Sequence, residues 1–536
     1  MRRLTLIAAL FVAAAGAAAP GCKTEDPESC EYWVKRLNNP AKVKEALLQV
    51  GEMKCAAAID PLKKMFDDGL YQEEALRAVQ NIGDKAAATE LATRSLNIKE
   101  LGPFAASIIG DMELGDGKQA LKDILTGNRN PSARKAALDA LLKFAKPEEM
   151  EDALISVAVD DPTIQGIQVN ALAIDTLGDA RSAKAVPALT RALFLKDGNG
   201  FEVYAKARMA FAKIGPVAVP HLIKVLEGAD EEFVTWAKNQ SIPKWEWQEG
   251  PKIIQILGDL RDKSATAAIA ANFARDLAPI DGLSEKLQER WIQNQTNRLV
   301  IAMIALGQIG DDSYVDVAEK VIPNQPDRDT TQRLNFATSL AFVGTEKAVD
   351  SLFKFYVAEQ DYRFKAPLLV PLSMGLDEAR LPAWTTETDT FILPKDPKKP
   401  EEINGQQYLV KEQIEGDQVP KFAQPVKDCK SDGKCYATLL DTSEDAFVKQ
   451  KAALMLSRKL LPDDETFKIL AAAFEKASPE ETDLRRFLLM GIAKVSTVRN
   501  APDLDRLVRL FKDKKNEAFW VDELTILKLF AERQKG

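Results

Sequence analysis

Apolar residues recur along most of this chain at i, i+3, i+4 and i+7, the spacing that gathers them on one face of an α-helix. Ala75, Ala78, Val79 and Ile82 form one such set, and Ala137, Ala140, Leu141 and Phe144 a second. Ala207, Ala210, Phe211 and Ile214 repeat the order, as do Ala302, Ala305, Leu306 and Ile309. In each set the small residues come first and the large ones last, so neighbouring helices can approach closely. A small residue, usually Gly, follows each set. These landmarks are Gly83, Gly110, Ala145, Gly178, Gly215, Gly258, Gly310 and Gly344, at intervals of 27, 35, 33, 37, 43, 52 and 34 residues. Most intervals fit a repeated helix–turn–helix unit, and the larger ones leave room for insertions. Gly at the landmark suits a helix C-terminus, where a left-handed backbone is common. Pro187 and Pro220 fall where the next helix opens, and a first-turn proline forfeits no hydrogen bond. One helix pair cannot bury its apolar face alone. The pattern therefore predicts an all-α, α-α superhelical solenoid of about ten stacked pairs, roughly 100 Å long, with an extended curved surface.

The clearest single repeat is Leu177-Gly178-Asp179-Ala180-Arg181-Ser182-Ala183-Lys184-Ala185-Val186-Pro187-Ala188-Leu189. It resembles the HEAT-like repeats first described in phycobilisome lyases: an Ala-rich helix, Leu-Gly-Asp, a short turn, then Ala-Val-Pro-x-Leu. "IGPVAVPHL" and "IGDKAAATEL" are weaker copies. The resemblance spans roughly residues 56–360, and 445–536 more loosely. It implies architecture and says little about activity, because such solenoids serve many unrelated tasks.

Two stretches break the period. Residues 228–250 carry Trp236, Trp245 and Trp247. An extended Trp245-Glu246-Trp247 would put both rings on one side as a platform for a peptide or sugar; the competing reading is that the rings cover a gap in the repeat. Residues 376–440 are rich in Pro, Lys and Glu, and predict a mostly non-helical insertion. Within it Asn404-Gly405 is a hairpin-type turn and Tyr408 to Ile414 a short strand. The expected order is a leader over 1–21, a helical cap over 22–55, repeats over 56–375, the insertion over 376–440 and further helical repeats over 441–536.

The leader reading rests on Met1-Arg2-Arg3, then an apolar run from Leu4 to Ala19, then Ala19-Pro20-Gly21-Cys22. Small residues directly before a cysteine resemble the lipobox of bacterial lipoproteins. That resemblance implies that Cys22 receives a diacylglycerol and becomes the new N-terminus. Ala19 stands where Leu is usual, and Pro20 is uncommon there. The alternative, plain secretion after Ala19, would leave Pro20 first, which signal peptidases tolerate poorly. With Cys22 lipidated, four of the five cysteines remain as two local pairs, Cys30 with Cys55 and Cys429 with Cys435. Both suit disulfides in an oxidising compartment, against the alternative of reduced thiols.

Composition then narrows the function. The 536 residues are 46% hydrophobic and 28% charged, ordinary for a globular chain. Cleavage before Cys22 would remove two arginines and no acid, moving the formal charge from −8 to −10. An acidic exported chain makes a poor partner for nucleic acid. His221 is the one histidine, so it alone could serve as base in a triad, and no G-x-S-x-G elbow accompanies it. Too few His and Cys remain for a zinc site, and neither a P-loop nor H-E-x-x-H occurs. Asp197-Gly198-Asn199-Gly200 lacks the acidic ligands of a calcium loop and reads as a turn. Glu231-Glu232 and Glu401-Glu402 lie in charged, solvated stretches.

The sequence therefore predicts no catalytic residues, no metal and no cofactor. The expected protein is a membrane-tethered, non-enzymatic scaffold binding a cell-envelope protein on its concave surface or its two insertions. It would face the periplasm or the cell exterior, at the outer membrane if the cell is Gram-negative. The alternative is an enzyme or accessory lipoprotein acting on an envelope glycan or peptide through a Trp-lined pocket.

Overall fold

Helix follows helix in antiparallel pairs through the computed structural model, which describes residues 26–127, 130–275, 282–322, 330–359, 362–381, 390–396, 399–409 and 418–535. The leader and Cys22 lie outside these residues. The chain forms two units, Met1–Lys146 and Pro147–Gly536.

The first unit holds α1 (Cys30–Arg36), α2 (Val43–Glu52), α3 (Ile59–Asp67), α4 (Gln72–Ile82), α5 (Lys85–Ser95), α6 (Gly102–Asp111), α7 (Lys118–Gly127) and α8 (Pro131–Phe144). Here α2 packs on α4 and α6 on α8. Ala75, Ala78 and Val79 are fully covered, as are Ala137, Ala140 and Leu141, so the apolar spacing marks the buried stripe.

The second unit begins with α9 (Pro147–Ala158), α10 (Pro162–Gln165), α11 (Ile167–Asp179), α12 (Val186–Ala192), α13 (Tyr204–Ile214) and α14 (Val219–Glu227). Then come α15 (Glu231–Asn239), α16 (Lys244–Trp247), α17 (Pro251–Leu260), α18 (Thr266–Phe273), α19 (Glu285–Ile309), α20 (Ser313–Val321), α21 (Thr330–Val343), α22 (Glu346–Ala358) and α23 (Tyr362–Gly375). After the insertion follow α24 (Gln418–Cys429), α25 (Gly433–Thr442), α26 (Ala446–Leu456), α27 (Asp463–Lys476), α28 (Thr482–Val495), α29 (Ala501–Lys512) and α30 (Ala518–Ala531). Within each unit the helices stack in pairs as an α-α solenoid.

The landmark glycines do two jobs. Gly83 and Gly310 end α4 and α19 in the left-handed region, at φ 86° and 61°. Gly178 and Gly258 do not end their helices; each is crossed closely by the next inner helix. A Cβ on Gly178 would stand 2.8 Å from the Ala210 Cα, and one on Gly258 2.7 Å from the Ala305 Cβ. The next residue ties the same pair of helices: Asp179 meets Lys213 at 2.6 Å. The Leu-Gly-Asp signature is thus a contact device between repeats.

The insertion is shorter than its composition predicts. Residues 418–442 form the regular helices α24 and α25, and Pro425, inside α24, is what masked them. The strands β1 (Thr390–Asp396) and β2 (Lys399–Leu409) pair antiparallel, with Thr390 opposite Leu409 and Asp396 opposite Lys399. The turn expected at Asn404-Gly405 is not there. These residues lie within β2, where the register shifts between the pairs Ile392–Gln407 and Pro394–Ile403. Asn-Gly accommodates a bulge there. Tyr408 and Leu409 end β2, and residues 410–414 of the expected strand lie outside the described residues.

The second unit does not leave its concave side open, as the sequence expectation had it. Its inner helices run in succession from α13 through α17, α19, α21, α23, α24, α26 and α28 to α30, and α30 then packs back on α13 and α17. Three observations explain the closure. Arg208 on α13 grips Asp259 at 2.6 and 2.9 Å and Glu523 on α30 at 2.7 Å, all three side chains being nearly covered. The Arg533 guanidinium donates to the Ala212 carbonyl. Gly307 on α19 is so close to Met490 and Phe342 that a Cβ there would stand 2.8 Å from each. Small residues that let helices stack also let the coil tighten until α30 meets α13, with α9 and α11 leading into the closed part.

Candidate functional site

Parallel inner helices put their C-termini on one side of the ring. A helix end carries carbonyls without intrahelical donors and a partial negative charge, so cations gather there. Lys451, fully buried on α26, donates to the Ser373, Met374 and Leu376 carbonyls at the end of α23, at 2.8–2.9 Å. Lys494 donates to the Phe342 and Val343 carbonyls at the end of α21, at 3.2 Å, and burial brings its pKa down to about 8. Arg458 donates to the Gly375 carbonyl at 2.8 Å.

The ends of α17, α19, α21, α24, α26, α28 and α30 surround a cleft of about 1390 Å³. Seven basic and three acidic residues line it, on a chain whose formal charge is −8. The acids are already engaged or at the rim: Asp377 pairs with Arg380, and Glu378 accepts from the Ser431 hydroxyl. Arg261 follows α17 in the left-handed region at φ 51°. Its guanidinium lies 4.6 Å from the Phe530 ring, and neither Nε nor Nη1 finds a hydrogen-bond acceptor among the described residues. Burial lowers its pKa to about 10, so it stays charged at neutral pH. Lys263, Lys427, Lys430 and Lys459 are exposed around it. The sequence reading missed this cleft, because its residues come from seven separate helix ends. The one available signal was a Lys or Arg recurring just before or after a helix end, as at Arg261, Lys430, Arg458 and Lys494.

The tryptophans named from the sequence are not an exposed platform. Trp245 and Trp247 sit on the single turn α16 and are 6% exposed each. Trp247 and the half-buried Trp236 both pack on Phe233, at ring-centroid distances of 5.5 and 5.4 Å. With α15 they fill the space where the repeat is interrupted. A hollow of about 310 Å³ beside Trp245 contains one carboxylate, Glu246, held by Arg290 at 2.9 Å. A glycosidase needs two opposed carboxylates.

Cys30 and Cys55 form a disulfide that staples α1 to the end of α2, and Cys429 and Cys435 close the loop between α24 and α25. Lys430 and Ser431 within that second loop line the cleft. His221 is partly buried with its Nδ1 3.3 Å from Asp230, and burial lowers its pKa. The Asp197 carboxylate accepts from the Asn199 and Phe201 N–H groups, which makes Asp197-Gly198-Asn199-Gly200 a tight turn. Among the described residues no three His, Cys, Asp or Glu side chains converge as a metal site, and no single helix is long and apolar enough to cross a membrane.

No family model matches the sequence, and no curated protein matches it. Among solved structures, an importin beta is similar over 92% of this chain and 74% of its own, at 10% identity and a TM-score of 0.38. Kap121p is similar over 93% of this chain and 60% of its own, at 14% identity and a TM-score of 0.24. An engineered protein covers 87% of this chain and 98% of its own, at 17% identity and a TM-score of 0.24.

Proposed function

We propose that the chain is an exported, lipid-anchored scaffold that holds a protein partner at the cell envelope and catalyses no reaction itself. The observation that carries this reading is the use of the cysteines. Four are joined in two disulfides, and the fifth, Cys22, stands directly behind small residues and an apolar run. Paired cysteines persist in oxidising compartments. A lipid on Cys22 would leave no free thiol. The binding half of the reading is supported by the architecture, since stacked repeats spend their residues on surface and core.

The experiment is metabolic labelling with radioactive palmitate, followed by detergent-phase partitioning of the wild type and of Cys22→Ala. The wild type takes up label and enters the detergent phase, while Cys22→Ala does neither. An unlabelled wild type, or label that survives in the variant, overturns the anchor. In-cell crosslinking then recovers an envelope protein, and a clean absence of crosslinks at every exposed position overturns the scaffold.

A further inference from the structure

The cleft at the helix ends has a charge pattern that scaffolding alone does not require. Lys451 and Lys494 complete helix ends, and their charge is spent on carbonyls. Lys263, Lys427 and Lys430 have no acidic partner within ion-pair distance among the described residues, and Lys459 reaches Asp463 only at 3.9 Å. Arg261 adds a cation to the inner wall of the cleft, with its Nε and Nη1 buried in the protein. At about 1390 Å³ the cleft exceeds the roughly 300–1,000 Å³ of ordinary small-molecule sites, which suits an extended ligand.

We propose that this cleft docks an acidic peptide segment of a partner protein, with Lys263, Lys427, Lys430 and Lys459 receiving its carboxylates and Arg261 adding to the positive field of the wall. The apolar lining decides between peptide and phosphate. A polyphosphate has no apolar groups to cover it. A peptide offers apolar side chains as well as carboxylates. Val343, Val349, Leu381, Met455 and Phe530 add apolar lining for side chains between the carboxylates. The inference rests on the scaffold reading and says which surface and which partner chemistry that scaffold uses.

The test is fluorescence anisotropy of the full mature chain with a labelled peptide of alternating Asp and Leu, against the same peptide with Asn for Asp. The acidic peptide binds in a salt-sensitive way and the Asn peptide does not. Lys427→Glu with Lys430→Glu, both exposed and harmless to the core, weakens binding by about tenfold or more. Arg261→Gln weakens it too, with a melting curve run alongside. Equal binding of the two peptides overturns the inference, as does an unaffected double variant or full displacement by inorganic tripolyphosphate. If the double variant still crosslinks its envelope partner as the wild type does, the cleft inference fails while the scaffold reading stands. If the peptide binds but no envelope partner is ever captured, the site stands and the scaffold fails.

Discussion

At the scale of single residues, the buried cations carry much of the structural logic. Lys494 shows how. Its ordinary pKa is 10.5, and burial near Arg458 brings the folded value to about 8. A base whose folded pKa is depressed binds fewer protons folded than unfolded across that window. Stability therefore rises as pH increases from about 8 towards 10.5, because the folded chain no longer holds a buried charge that the unfolded chain keeps. Below about 8 both states are charged and the contribution is flat. Urea midpoints measured at half-unit steps over this range should climb for the wild type, and Lys494→Met should climb less steeply, the remainder coming from Lys451, whose pKa burial also lowers. A variant that climbs as steeply as the wild type would show that another group is responsible. This cation was not legible as a structural one in the sequence. Lys494 looks like a solvated lysine at a helix end, and only the neighbouring α21, about 150 residues earlier, shows its task.

At the scale of elements, the helices were legible because each carries a buried stripe that repeats in register. Ala207, Ala210, Phe211 and Ile214 are all buried on α13, as their spacing requires. The elements that escaped were those with contrary local signals. Pro425 disguised α24, and Asn404-Gly405 suggested a turn where β2 has a bulge. The Trp245-Glu246-Trp247 segment reads equally well as strand or helix over three residues, and contacts with Phe233 decide in favour of a buried helical turn. The first hairpin of helices, α1 and α2, is short, and the Cys30–Cys55 bond closes 25 residues around it. Closing a loop of that size removes unfolded-state entropy worth about 3.5 kcal/mol in the chain-entropy model. The double variant Cys30→Ala, Cys55→Ala should lose protection from hydrogen exchange in α1 and α2, while the second unit stays as protected as before. Unchanged exchange across 30–55 would mean that packing of Trp33 and its neighbours suffices there.

At the scale of the whole second unit, closure decides more than any single repeat does. The periodicity predicted an open array with a usable concave face. It could not show the return of α30 onto α13, because that contact is set by accumulated twist and by three charges far apart in sequence. Arg208, Asp259 and Glu523 are 9%, 5% and 14% exposed at their side chains. Removing the cation leaves two buried carboxylates opposed, so Arg208→Met should cost about 3–5 kcal/mol. Adding Asp259→Asn and Glu523→Gln should return part of it. Denaturation midpoints of the single and triple variants check this, and a single variant as stable as the wild type would remove the latch from the explanation.

The meeting of residues 208 and 523 also has a consequence for how the molecule comes into being. An open array can settle repeat by repeat as it emerges, and can be trimmed at its tail with local damage. Here an early helix, whose Arg208 already holds Asp259, waits for α30 before its second acidic contact is made and its outer face is covered. Until then Arg208 and its surroundings stand half-assembled, which places late-arriving sequence in control of a wall laid down three hundred residues before.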